Sequence, residues 1–293
     1  MLQMNDVTKT FGTFRALDHL TMNVQDGSVY GLVGPNGAGK STSIRVLTGV
    51  YRPDSGDVTI EGIPVYENPL LKEKICCIPD EIFFFPSATL EEMAGYYAGI
   101  YPRFDKALYK RLFEVFGLPK KSPLRKFSKG MQKQAAFHLS LCTRPEILIL
   151  DEPVDGLDPV MRRQVWSLLM SDVAQEGTTV LISSHNLREL EDICDHVGIM
   201  DHGKMLLERS LADMQGSTVK LQMVGETPRG LDILHESNSG RLKTLVVRGT
   251  AEKVAALAQR SNPTYFDVLP LSLEEIFIYE LGGVNYEVKN ILL

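Results

Sequence analysis

The run Gly34-Pro35-Asn36-Gly37-Ala38-Gly39-Lys40-Ser41 fits the pattern G-x-x-x-x-G-K-[ST], a spacing suited to holding phosphate. Glycine-rich backbone can turn successive N–H groups toward an anion, and the positive end of a following helix reinforces them. Lys40 is then placed to reach the outer phosphates, Ser41 offers a hydroxyl to Mg2+, and Thr42 completes the set of nucleotide-binding candidates. A second group lies farther along, where the apolar run Ile147-Leu148-Ile149-Leu150 ends in Asp151 and Glu152. Adjacent carboxylates at a strand end can divide the work: Asp151 suits the Mg2+ shell, and Glu152 can orient or deprotonate a water attacking a γ-phosphate. An apolar strand ending in Asp-Glu is ordinary by itself; together with the loop at 34–41 it predicts an ATP site.

Such a loop works only between a strand and a helix, and the flanking sequence supplies both. Val29-Tyr30-Gly31-Leu32-Val33 reads as a buried strand, and helical spacing follows the loop. Alternation at Leu20, Met22 and Val24, and again at Val58 and Ile60, predicts further strands, with a short buried one at 75–78. Thr89 with Glu92 forms a capping-box pattern, and Leu108, Leu112, Val115 and Phe116 repeat at helical spacing up to Gly117, so residues 88–142 are expected to be mostly helix. Asp158-Pro159 reads as a helix start, and Val180-Leu181-Ile182 as the next apolar strand; strand, helix, strand predicts a parallel sheet. A hairpin is expected over 197–206 around Asp201-His202-Gly203. Loosening at Gln215-Gly216-Ser217 places a domain boundary, with a domain at 1–215 and a small α+β domain at 217–293 built from a strand at 244–247 and a helical run at 252–258.

The 293 residues suffice for one large domain with an appendage or for two modest ones. A net charge of −6 argues against a nucleic-acid partner, which would call for a basic field. No run approaches the roughly 18–20 apolar residues needed to span a bilayer. The first ten residues lack the basic start and apolar segment of a secretory signal, and Cys76, Cys77, Cys142 and Cys194 show no metal-ligand spacing, so free thiols in a reducing cytoplasm are expected.

Between the two chemical groups lies Phe127-Ser128-Lys129-Gly130-Met131-Gln132 at the opening of a helix. It resembles the Leu-Ser-Gly-Gly-Gln signature of ABC ATPases, whose serine and glycine grip the γ-phosphate bound to the opposite subunit. Gly156-Leu157-Asp158 looks like that family's D-loop, and His185 like its switch histidine, which the resemblance implies contacts the γ-phosphate. Phe11 matches the aromatic that stacks on adenine, although an aromatic at a strand end serves equally as core. Lys129 and Met131 depart from the signature. Asp80, after Pro79, stands where the family places its Q-loop glutamine, the lever between nucleotide and membrane partner; it is a candidate metal ligand or a solvated loop acid. The tail Leu271-Ser272-Leu273-Glu274-Glu275-Ile276-Phe277 is similar to that of drug- and antibiotic-exporter ATPases, while a structural cap or dimerisation module is its plainer reading.

The resemblance implies an α/β fold of the P-loop ABC ATPase type, with a mixed-sheet core, a helical subdomain at about 88–142 and the small C-terminal domain. It implies an ATPase that dimerises, with itself or a similar subunit, around two ATP molecules with Mg2+. That dimer would drive export through an integral membrane permease from the cytoplasmic face. Phe83-Phe84-Phe85 would lie at the permease approach, or in the core. The rival expectations are an ABC protein acting on ribosomes or DNA, and a regulatory subunit that binds ATP without hydrolysing it. Cargo is not written in these residues.

Overall fold

Two long strands, β1 (Leu2–Phe11) and β2 (Phe14–Val24), open the chain as an antiparallel pair. In the computed structural model, which describes residues 1–272 together with Glu274, Glu275 and Tyr279, the alternating Leu20, Met22 and Val24 are all fully buried. Next come β3 (Val29–Val33), α1 (Lys40–Leu47), β4 (Ser55–Ile60), β5 (Ile63–Pro64), the single turn α2 (Pro69–Lys72) and β6 (Ile75–Ile78). Three helices occupy the predicted helical stretch: α3 (Leu90–Ile100), α4 (Lys106–Phe116) and α5 (Lys129–Cys142). Thr89 and Glu92 form the expected capping box on α3, and Gly117 closes α4 in the left-handed conformation. The chain returns through β7 (Ile147–Asp151), α6 (Pro159–Glu176) and β8 (Thr179–Ser184), then β9 (His196–Asp201) and β10 (Lys204–Ser210). Asp158 caps α6, its carboxylate accepting the Val160 and Met161 N–H groups, with Pro159 in the first turn.

Two sheets result. One is four-stranded in the order β2-β1-β4-β5, and the other is six-stranded in the order β10-β9-β3-β8-β7-β6. In the second, β9, β3, β8, β7 and β6 run parallel, and β10 returns beside β9 through His202 and Gly203, both at positive φ. The residues of β3, β7 and β8 are buried throughout, as strands covered on both faces require. Leu17, Leu20 and Met22 of the first sheet share one core with Leu32, Ile149 and Leu181 of the second and with Ile44 and Leu47 of α1.

By internal contacts the chain divides into Met1–His185 with His196–Glu208, and Asn186–Asp195 with the chain from Arg209. This seam precedes α7 (Leu211–Ser217), whereas the composition loosens within it, because the Leu211 N–H bonds the Asp195 carbonyl and ties α7 to the 186–195 segment. The second unit continues with β11 (Thr218–Val224), β12 (Asp232–Ser239), β13 (Leu242–Arg248), α8 (Ala251–Arg260) and β14 (Tyr265–Pro270). Its antiparallel sheet, ordered β12-β13-β11-β14, buries Val219, Leu221, Met223, Leu245 and Val247 with Val254 and Ala258 of α8. Leu273, Ile276 and Phe277 of the exporter-like tail lie outside the described residues.

Candidate functional site

The order β3-β8-β7 and the register Val33 opposite Ser184, Asp151 opposite Ser183, bring three connections to one edge of the parallel sheet. Gly34 leaves β3 there, Glu152 leaves β7, and His185 leaves β8. This is the carboxyl edge, where open α/β sheets place ligands. The Gly34 N–H reaches the Ser184 carbonyl at 3.4 Å, and the Ala38 N–H closes a turn on the Pro35 carbonyl at 3.1 Å. Asn36 and Gly37 form the exposed tip of that turn, and Ala38 is buried under it. Gly39 has a φ of 105°, and a Cβ there would stand 2.7 Å from the Ala16 carbonyl oxygen, so the loop depends on a glycine at this position. Ser41 and Thr42 sit half-buried in the first turn of α1.

Lys40 is 6% exposed and fully engaged: its ammonium donates to the Gly34 carbonyl at 2.7 Å and stands 3.3 Å from Glu152 Oε1. The other carboxylate oxygen of Glu152 lies 2.9 Å from His185 Nδ1 and also accepts the His185 backbone N–H. A cation, a carboxylate and an imidazole thus form one continuous chain of contacts. Asp151 is buried beside it, and Oδ1 accepts a hydrogen bond from the Ser183 hydroxyl at 2.5 Å. A hydroxyl at Ser41 and a carboxylate at Asp151, on α1 and β7 packed against each other, are the oxygen donors a hard cation such as Mg2+ takes. Behind β7, burial first and then the charges of Cys76 and Asp151 push the Cys77 thiol up to about 12, and all four cysteines are free thiols.

Ser128 caps α5, its hydroxyl accepting the Met131 N–H at 3.2 Å, and both Ser128 and Lys129 are exposed at the helix start. A Cβ on Gly130 would come within 3.2 Å of the Gly156 carbonyl oxygen, so the signature glycine lets the helix start approach the D-loop turn. Phe11 is not core: it is 44% exposed at the end of β1, with the Tyr51 ring edge-on at 5.3 Å and the Lys9 ammonium 5.6 Å above it. The three consecutive phenylalanines differ in burial. Phe84 is buried, whereas Phe83 is 75% exposed and Phe85 stands edge-on to Tyr96 at 5.0 Å.

Asp80 does not join the carboxylates beside Lys40. Its partner is the Lys133 ammonium at 3.7 Å, a cation supplied by α5. Lys133, Ser183 and Asp155 are participants that sequence reasoning passes over. Ser183 had a signal, since two serines end the otherwise apolar β8 just before His185. Asp155 offers a ligand atom within 4.8 Å of those of Glu152 and His185. Lys133 had none, since nothing in a helical pattern announces a buried lysine.

Known proteins bear on this geometry in three ways. The family model described as "ABC transporter" matches residues 17–155. An ABC transporter ATP-binding protein, YtrB of Bacillus subtilis, is 28% identical over 288 residues, covering 97% of this chain and 99% of its own, and the bacitracin transport ATP-binding protein BcrA of Bacillus licheniformis is 37% identical over 211 residues, covering 71% and 69%. A solved ATP-binding subunit of an ABC transporter superposes with a TM-score of 0.68 at 28% identity, covering 73% of this chain and 92% of that one. Both named relatives are transporter subunits, which disfavours the ribosome- and DNA-associated alternative. Among the described residues no helix is long and apolar enough to cross a membrane. On the identity and coverage of these relatives, the chain belongs to the ATP-binding proteins of ABC transporters and is the ATP-hydrolysing subunit of such a transporter.

Proposed function

We propose that the chain binds ATP at the carboxyl edge of its parallel sheet and closes on it with a second copy of itself or a similar subunit. The observation that carries this reading is the contact chain Lys40–Glu152–His185, in which residues from three separate connections meet within hydrogen-bonding range. The backbone of Gly34, Pro35, Asn36, Gly37, Ala38 and Gly39 wraps the phosphates, Lys40 pairs with the outer ones, and Ser41 and Thr42 complete the cradle at the helix start. Ser41 and Asp151 would hold Mg2+, which would neutralise phosphate charge. Asp80 enters that set only by exchanging Lys133 for the ion. Glu152 orients the attacking water and takes its proton, His185 contacts the γ-phosphate, and Phe11 stacks on the adenine. Ser128 and Gly130 receive the γ-phosphate bound to the opposite subunit, which fits the exposed position of Ser128 at the start of α5.

The membrane partner docks on the exposed aromatic face formed by Phe83, Phe85 and Tyr96. That partner is an integral permease, and it holds the ATPase at the cytoplasmic face of the membrane. Export of an antibiotic-like compound is the direction we favour, on the similarity of the sequence at 271–277 to exporter ATPases and on the name of the bacitracin transport relative. The test is Glu152→Gln. Its ATP turnover should fall about 10²- to 10⁴-fold with ATP binding retained, and the ATP-loaded protein should elute as a dimer and co-purify from gently solubilised membranes with a polytopic protein. Turnover at the wild-type rate removes Glu152 from the catalytic role, and recovery without a membrane protein removes the permease.

A further inference from the structure

Glu152 adopts a backbone conformation that its sequence disfavours twice. Its φ is +46°, a region that side-chain-bearing residues seldom occupy, and it precedes Pro153, whose ring pushes the preceding residue toward extended conformations. Strain at a residue is sustained only where its surroundings over-determine it. Here both backbone groups of Glu152 are pinned. Its N–H bonds the carbonyl and hydroxyl of Ser183 on β8 at 3.2 and 3.1 Å, and its carbonyl oxygen accepts from the Lys133 ammonium at 2.5 Å. Lys133 is 6% exposed, so a full positive charge has been buried to make this contact. The same ammonium stands 3.7 Å from the Asp80 carboxylate, which is more than half exposed on the connection after β6. Lys133, Asp80 and Asp155 also line one cleft of about 580 Å³, together with Lys129, Gln132 and Gly156.

We propose that Lys133 is a positioning residue for ATP hydrolysis: it holds the Glu152 backbone in its strained form, which aims the carboxylate at Lys40 and His185, and through Asp80 it links that carboxylate to the connection after β6. The buried charge follows from the task. An ammonium donating to a carbonyl makes a shorter and stronger bond than a neutral amide does, and that bond opposes relaxation of Glu152 to the extended region. Asp80 offsets the charge from the solvent side, so displacement of the 79–82 segment changes the hold on Glu152 without touching nucleotide. Lys133 also belongs to the helix that Ser128 caps, so the γ-phosphate-gripping helix start and the base-aiming lysine move as one rigid element.

This inference rests on Glu152 acting as the base, and the experiment separates the two. Steady-state ATP turnover and equilibrium ATP binding are measured on full-length wild type, Lys133→Met, Lys133→Arg, Asp80→Asn, Glu152→Gln and the Lys133→Met/Glu152→Gln double variant, with Lys133→Gln in reserve should the methionine variant misfold. Misplacing the base predicts a kcat lowered about 10- to 100-fold in Lys133→Met, ATP affinity held within about twofold, substantial recovery in Lys133→Arg, a smaller loss in Asp80→Asn, and no further loss when Lys133→Met is added to Glu152→Gln. Wild-type kcat in Lys133→Met while Glu152→Gln is inactive overturns the positioning role alone. Equal losses of kcat and affinity overturn it as well, since they mark general damage to the site. Wild-type turnover in Glu152→Gln overturns the underlying assignment instead.

Discussion

The carboxyl edge of the parallel sheet and the four-stranded sheet of the C-terminal unit are both packed, yet they bury different things. Among the described residues the buried charged side chains are Lys40, Lys133, Asp151 and Asp172, all in the first unit, and the first three stand at the β3-β8-β7 edge. The second unit buries Val219, Leu221, Met223, Leu245 and Val247, and Thr218 is the polar side chain buried with them among those described. Burying a charge costs several kcal/mol unless it is paired, and each of the three edge charges has a named partner. The difference separates a region whose core admits paired buried charges from one whose described residues show only packing.

Four substitutions break or sharpen that contrast, from the largest effect down. Lys40→Ala should lower ATP affinity by about 100- to 1,000-fold, roughly 3–4 kcal/mol, through loss of the charge-assisted contact that the proposed site gives the phosphates; equilibrium binding checks it, and retained affinity would dissolve the contrast. Leu221→Ala, fully buried in the second unit, should cost about 3 kcal/mol of stability by denaturant unfolding while leaving ATP affinity within about twofold. A larger change in affinity would give that unit a part in nucleotide binding.

His138 marks a third kind of burial. It lies in α5 with Nε2 donating to the Tyr109 carbonyl at 2.8 Å, ringed by Tyr109, Phe113 and Phe116, and burial lowers it to about 4 despite that bond. A histidine neutral in the folded state and near 6.5 when unfolded contributes fully above pH 6.5 and loses its contribution as pH falls toward 4, up to about 3 kcal/mol. His138→Phe should flatten the stability profile between pH 6.5 and 4; an unchanged slope would place the titration elsewhere. Thr89→Ala, at an exposed capping box, should cost only about 1 kcal/mol, read as a small drop in thermal midpoint.

Local patterns carried much of this site in the sequence. The loop at 34–41 and the Asp151-Glu152 pair stand out as short motifs, Ser128 and His185 were singled out only through the resemblance to ABC ATPases, and strand-helix-strand order anticipated the parallel sheet. Tertiary partners were not visible. That Asp80 faces Lys133, that Ser183 binds both Asp151 and Glu152, and that Phe84 goes inside while Phe83 stays out depend on which elements pack together. For the same reason the 186–195 segment, although followed in the chain by 196–208 of the first unit, is grouped with the second unit.

The Lys40–Glu152 contact sets a threshold for ligand discrimination. An incoming anion has to outbid a carboxylate already 3.3 Å from the lysine and a carbonyl at 2.7 Å, in surroundings where the ammonium is almost fully desolvated. A singly charged anion gains too little to displace them, whereas a triphosphate brings several charges and the loop amides at once. On the proposed assignment of Lys40 to the phosphates and Glu152 to the attacking water, the exchange would also release the Glu152 carboxylate as the substrate arrives, so that recognition and arming of the base would be a single event.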